Sequence, residues 1–171
     1  QMWHTRNVWL FAFYFAGIRI SDVVKMKWND FKDGRLLYVM NKNDKPVSLK
    51  MPEQAQGIIE MYKSRRGKSP FIFSYLDKAN TTDKRDIYVK TKNATSLLNK
   101  YLKRIAELCK IDKDLSNHIA RHTFGNIAGD RINPLMLQKL YRHSDLKTTI
   151  NYQANFIHKD ADEALEAVIN Y

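Results

Sequence analysis

Residues 116–153, SNHIARHTFGNIAGDRINPLMLQKLYRHSDLKTTINYQ, constrain this chain more than any other stretch. His118 and Arg121 stand three residues apart, His143 follows, and Tyr152 lies nine residues beyond it. Residues three apart on a helix share a face, so His118 and Arg121 can address one ligand group together. A cation, two imidazoles and a phenol suit an anionic ester attacked by a tyrosine. His118 and His122 have the i, i+4 spacing of a zinc pair, but Ile119 stands where the metalloprotease pattern needs glutamate. No metal is expected, and His122 is expected in the core or behind the reacting groups.

Composition narrows the partner. The chain of 171 residues is long enough for one domain with a real core, and 44% hydrophobic and 12% aromatic residues describe a folded chain. Lys and Arg number 29 against 18 Asp and Glu, a surplus of +11 that favours a polyanion through counterion release. Charge alone leaves DNA, RNA and anionic lipid open. Cys109 is the single cysteine, so no intrachain disulfide or cysteine metal cluster forms. It falls at apolar helical spacing and is expected in the core. The longest apolar run, residues 8–18, is too short to span a bilayer and lacks a signal-peptide layout. The expectation is an intracellular, cytoplasmic protein with no membrane partner. The chain starts at Gln1 without a methionine and reads as a piece of something longer.

Taken in order, residues 3–15 predict a largely buried helix. Residues 16–22 interrupt it, with Gly17 for a tight turn and Ser21 or Asp22 to cap a short helix over 22–28. Arg19 lies at that junction among apolar neighbours, aimed either at an internal salt bridge or at a phosphate. Residues 35–40 and 46–49 predict a hairpin whose turn-forming loop, 41–45, puts Lys42 and Lys45 at the tip. A helix follows over 52–66, then a short strand over 71–73 and a polar surface loop over 76–92. Residues 91–109 predict a long helix whose polar face carries Lys92, Lys100, Lys103 and Arg104, either a solvated face or a surface that tracks a nucleic-acid backbone. Ser116 is the predicted cap of a helix over 117–128, and Asn133-Pro134 opens another running to Tyr141. A turn at 143–145, a helix over 146–153 and an acidic helix over 160–169 complete the chain.

Three boxes are now recognisable. Gly17-Ile18-Arg19-Ile20-Ser21-Asp22 resembles the Gly-x-Arg-x-Ser-Glu box of the tyrosine recombinases, the phage integrase family. His118-Ile119-Ala120-Arg121-His122-Thr123-Phe124 resembles its His-x-x-Arg-His-Thr-Phe box. The run from His143 to Tyr152 resembles its terminal box, Gly-His-Ser-x-x-x-Thr-Thr-x-x-Tyr. Order and spacing agree over nearly the whole chain. The glycine that usually precedes the last histidine is Arg142 here, so that turn must accept a side chain, and Asp22 replaces glutamate.

The resemblance implies a mostly α fold with a small antiparallel β-sheet, the DNA breaking-rejoining enzyme fold. It implies a single catalytic domain over 1–171, without the family's N-terminal core-binding domain, and a tail over 154–171 that docks on a neighbouring protomer. Carried over by position, Arg19 and Arg121 hold the scissile phosphate, Lys42 (in preference to Lys45) is the hairpin lysine, His118 and His143 are the active-site histidines, and Tyr152 is the nucleophile. The implied activity is site-specific DNA recombination for integration or excision of a mobile element, through a 3′-phosphotyrosyl intermediate. Neither cofactor nor ATP is needed, because the covalent link keeps the bond energy. The implied partners are a double-stranded recombination site and, in the full-length protein, further copies forming a tetramer on DNA; Lys45, Lys92, Lys100, Lys103 and Arg104 are candidate DNA contacts. Two other readings are a type IB topoisomerase and a DNA-binding module that has lost catalysis. The complete residue set argues against the second.

Overall fold

A computed structural model of the chain describes residues 1–39, 46–129, 131–153 and 169. Helix α1 (Met2–Tyr14) is apolar on nearly every side, and a helix of that kind is stable only when surrounded. It runs through the core, with Val8, Phe11 and Ala12 sealed from solvent. Around it pack α2 (Ile20–Val23), α3 (Glu53–Lys63), α4 (Lys84–Leu108) and α5 (Ile119–Ala128). Phe11 anchors the centre, its ring 4.9 Å from Phe15, 5.4 Å from Phe73 and 6.2 Å from Phe31, tilted or edge-on. Truncating so large a buried ring costs about 3–5 kcal/mol in comparable cores.

A three-stranded antiparallel sheet lies at the edge: β1 (Phe31–Lys32), β2 (Arg35–Val39) and β3 (Pro46–Lys50), in that order. Asp33 and Gly34 join β1 to β2 with φ of 51° and 69°, the left-handed pair that a two-residue hairpin requires. Leu36 pairs with Phe31 on one side and Leu49 on the other, and is fully buried. The predicted hairpin is therefore present with an extra strand, β1, too short to show alternation. Residues 71–73 form no strand; Phe71 alone bridges to Lys27.

Four other expectations need correction. Helix α4 begins at Lys84, so the stretch predicted as loop over 76–92 is loop only in its first part. Asp83 caps the helix by accepting from the Arg85 amide at 2.8 Å, and Asp86 pairs with Lys90 at 2.7 Å. These first turns lie on the surface, where no apolar stripe is required. Cys109 is exposed and not in the core, because the apolar stripe of α4 runs past the edge of the packed layer; Leu108 and Ile111 are exposed with it. Helix α2 starts at Ile20, with Arg19 in the cap position and no side-chain cap from Ser21 or Asp22. Helix α5 is entered through His118, and Ser116 serves it with its carbonyl, which accepts from the Ile119 amide, and not with its hydroxyl.

Helices α6 (Pro134–Tyr141) and α7 (Leu146–Gln153) close the chain's described part. Asn133 caps α6 by accepting from the Leu135 amide at 2.8 Å, with proline in the first turn as predicted. Ala16, Ala128, Leu137 and Tyr141 form a second small core under α5, α6 and α7. The hairpin tip and the predicted helix over 160–169 lie outside the described residues, Ile169 apart.

One buried titratable group gives the fold a pH signature. The half-buried His4 ring stacks on Tyr75 at 4.6 Å, with Nδ1 on the Tyr62 hydroxyl. Burial lowers its pKa from 6.5 to about 4. Above pH 6.5 both folded and unfolded chains hold it neutral; below, the unfolded chain takes a proton that the folded ring refuses until about pH 4. Stability is therefore lost as pH falls through that window, by at most about 3 kcal/mol from this group. Urea unfolding at about pH 7.5 and pH 4.5 is expected to show a smaller acid loss for His4→Phe than for the wild type.

Candidate functional site

The site begins where α1 ends. Ala16 and Gly17 both take left-handed conformations, φ 57° and 65°, which turns the chain sharply back. A Cβ on Gly17 would stand 2.4 Å from Cα of Arg121, so α5 crosses the turn at a distance only glycine permits. Arg121 is itself buried, and its Nη1 donates to the Gly17 carbonyl at 3.1 Å. Arg19 follows in extended backbone at the head of α2, and its Nη1 is buried with no hydrogen-bond partner. Both arginines line a cleft of about 230 Å³ together with Ser21, Thr95, Asn117 and His118. Burial, then the charge of Arg19, pulls the pKa of Arg121 below its usual value. A guanidinium starts so far above neutrality that Arg121 stays charged, and two neighbouring guanidiniums, one buried and one partly buried, favour an anion between them.

The segment carrying His118 is clipped from two sides. Asn99 on α4 accepts from the Asn117 amide at 2.8 Å, Asn117 Nδ2 donates to the Thr95 carbonyl at 2.8 Å, and Trp9 on α1 donates to the Ser116 carbonyl at 3.1 Å. His118 therefore reaches the rim of the cleft in a fixed place. Burial, then the charges of His122, Arg121 and Arg19, lower its pKa, so at neutral pH its imidazole is free to accept a proton. The Tyr152 hydroxyl lies 3.3 Å from His118 Nε2, the right partner for that proton. His122 is exposed, not in the core, and its ring stacks on Tyr152 at 4.7 Å.

His143 is oriented from both nitrogens. Its Nε2 lies 3.1 Å from Arg121 Nη2, which can only donate, so that nitrogen accepts; Nδ1–H then donates to Thr149 Oγ1 at 3.0 Å. Arg121 Nη2 also donates to the Tyr141 carbonyl at 2.8 Å. Tyr141 is fully buried and its hydroxyl donates to the Arg121 carbonyl at 2.5 Å, which removes it as a rival nucleophile to Tyr152. Arg142 takes the left-handed position at the end of α6, φ 54°, where glycine is the usual choice.

The structure thus brings Arg19, His118 and Arg121 to one cleft, with Tyr152 in contact with His118 and His143 in contact with Arg121. Lys42 and Lys45 lie outside the described residues. Of the proposed backbone contacts, Lys92 and Lys103 share a stripe of α4 with Thr95 and Asn99, which face the His118 segment, at spacings i, i+3, i+7 and i+11. Lys100 flanks that stripe. Arg104 lies opposite Thr95 around the helix and lays its guanidinium 5.4 Å from the Tyr101 ring. Sequence reasoning missed Thr149, Gly125 and the supporting part of Tyr141. Thr149 had a faint signal, since it precedes Tyr152 by one helical turn and so must share its inward face.

The chain is similar to known proteins in sequence and in fold. The model of the phage integrase family matches residues 3–158. A tyrosine recombinase of Pseudothermotoga lettingae is 26% identical over 148 residues, covering 81% of this chain and 46% of its own length. Tyrosine recombinase XerA of Saccharolobus solfataricus is 30% identical over 131 residues, covering 71% of this chain and 43% of its own length. The chain therefore spans less than half of each relative. Among solved structures, a lambda integrase dimer bound to a COC′ core site superposes with a TM-score of 0.62 at 16% identity, over 88% of this chain and 42% of that one. XerH recombinase bound to palindromic difH substrate gives 0.64 at 19% identity, over 95% of this chain and 45% of that one. At such identities the likeness is one of fold.

The turn at Gly17 carries a stability prediction. Gly17→Ala combines a left-handed φ with backbone overlap and is expected to cost about 3 kcal/mol or more, read as a collapse of the thermal transition.

Proposed function

Because the chain belongs to the phage integrase family, we propose that it is the catalytic domain of a site-specific DNA recombinase. It cuts and rejoins strands at a double-stranded recombination site through a 3′-phosphotyrosyl link to Tyr152. The observation that carries this reading is the Tyr152 hydroxyl 3.3 Å from His118 Nε2, beside a cleft that holds both Arg19 and Arg121.

The chemistry follows from the groups. A neutral phenol is a weak nucleophile, with a pKa near 10 in solution. His118 takes its proton as the phenolate oxygen bonds to phosphorus. Arg19 and Arg121 present planar, permanently charged forks to the non-bridging oxygens and stabilise the extra charge of the pentacoordinate state. The bond to the 5′-oxygen breaks, and that oxygen leaves with a proton from Lys42. Rejoining runs the same steps backward with a 5′-hydroxyl from the same or another strand. Support for Lys42 comes from the sheet: Tyr38, next to the last residue of β2, lies within reach of the charges of Asp22, Arg121, Arg19 and Arg142, and Lys42 follows it by four residues in sequence. His143, seated on Thr149 and Arg121, is proposed to donate to a phosphate oxygen, a role in which Nε2 gives up the Arg121 bond and carries a proton.

The larger surroundings belong to the same proposal. Lys92 and Lys103 are the better candidates for backbone contacts flanking the cleft, with Lys100 beside them, and Arg104 the poorest. The full-length protein is proposed to work as a tetramer on DNA, its segment 154–171 making the contact between protomers. Among the described residues, no helix is long and apolar enough to cross a membrane.

Covalent trapping tests the reading. The protein is mixed with a nicked duplex carrying its element's crossover site, in EDTA, and probed for an SDS-resistant protein–DNA band. The band is expected from the wild type and not from Tyr152→Phe. Its rate is expected to fall on the acid side of pH 6.5, as His118 becomes protonated, and to level off above it. A band that survives in Tyr152→Phe places the nucleophile elsewhere and sinks the assignment.

A further inference from the structure

We infer that Tyr141 is a positioning residue for the reaction, one that aims the Arg121 guanidinium at the scissile phosphate. The inference rests on the function proposed above and adds to it a group outside the six assigned there.

Tyr141 and Arg121 hold each other three ways. The Tyr141 hydroxyl donates to the Arg121 carbonyl at 2.5 Å, Arg121 Nη2 donates to the Tyr141 carbonyl at 2.8 Å, and the guanidinium carbon lies 3.7 Å from the centre of the Tyr141 ring. The ring therefore forms the floor on which the cation rests. Both residues are at least 97% buried, Arg121 at 3% exposure and Tyr141 at 0%, so neither has room to find another pose. Arg121 has few soft degrees of freedom left: Gly17 fixes one end through Nη1, and Tyr141 fixes the other through Nη2. A hydrophobic residue of similar size could fill the space without supplying the hydroxyl bond or the π-face.

The same ring is the wall against which the nucleophile helix leans. Tyr141 and Tyr152 meet edge-to-face at 5.2 Å, and His143 meets the Tyr141 ring edge-on at 5.3 Å. Gly125 makes the junction fit, because a Cβ there would stand 3.0 Å from the Tyr141 hydroxyl oxygen and 2.8 Å from Tyr152 Cβ. A tyrosine at 141 and a glycine at 125 are thus one device. The hydroxyl needs the space that glycine leaves, and the same space receives α7.

A residue that acts through Arg121 must act through the phosphate's charge, which separates this role from mere support. In the full-length protein, cleavage of the nicked crossover duplex is measured with an ordinary scissile phosphate and with a methylphosphonate, which carries no negative charge. Tyr141→Phe keeps the ring and loses the hydroxyl; it is expected to slow cleavage of the phosphate about tenfold, with duplex affinity unchanged, and of the methylphosphonate less than about twofold. Tyr141→Leu also removes the π-face and is expected to lose about 100-fold, again mostly on the charged substrate. Because the readout is a ratio of two substrates within one variant, a reduced folded fraction cancels. 4-Aminophenylalanine at 141 restores the ring and a donor and is expected to recover cleavage to within about threefold of wild type. Equal losses on both substrates, no loss in Tyr141→Phe, or failure of the amino variant to recover would each overturn the inference while leaving the recombinase reading intact. A wild type that forms no covalent adduct on either substrate overturns both.

Discussion

The contact between Gly17 and Arg121 is the constraint on which the rest of the arrangement depends. It is a crossing of two backbones with no side chain between them, and it does three things at once. It ends α1, turns the chain so that Arg19 heads α2, and presses α5 against the turn so that Arg121 lies beside Arg19. Two guanidiniums in one cleft repel, and the fold holds Arg121 against that repulsion through the Gly17 and Tyr141 carbonyls. The apolar mass of α1 and its aromatic neighbours supplies the rigidity. The cleft borrows it.

Around that crossing, the side chains proposed to react are held in place by their neighbours. His118 stands on the clip made by Asn117, Asn99 and Thr95. His143 stands on Thr149 and Arg121, and Tyr152 lies between the His122 ring and Tyr141. Positional control of this kind matters more for phosphoryl transfer than any single strong group, since the protein contributes mainly alignment and fixed charge. Neutral His118 fits the same logic. After burial and the neighbouring His122, the cations that would steady the phosphate also lower the pKa of the proposed base.

What the chain's letters reveal and what they conceal divides by distance. The groups of the three boxes are readable because each box is local: His118 and Arg121 are one turn apart, and His143 and Tyr152 are tied by one turn and one short helix. The helices over 3–15 and 134–141 are readable from periodicity and caps. Strand β1 is not, because two residues carry no period. The opening turns of α4 are not, because a solvated helix needs no apolar stripe, and Cys109 sits on a stripe that outlasts the surface it packs against. Gly125 and the supporting part of Tyr141 are concealed for a deeper reason. Their meaning exists only between α5, α6 and α7, and no spacing along the chain encodes a contact across three helices.

The seating of α7 against Gly125 also bears on whose tyrosine would cut in the recombinase proposed above. Tyr152, His118, Arg19 and Arg121 meet within one polypeptide, with Tyr152 packed on the small core under α5, α6 and α7. Under that proposal each copy would bring these four groups to its own strand. A copy lacking Tyr152 and a copy lacking Arg121 would then not repair one another by lending groups.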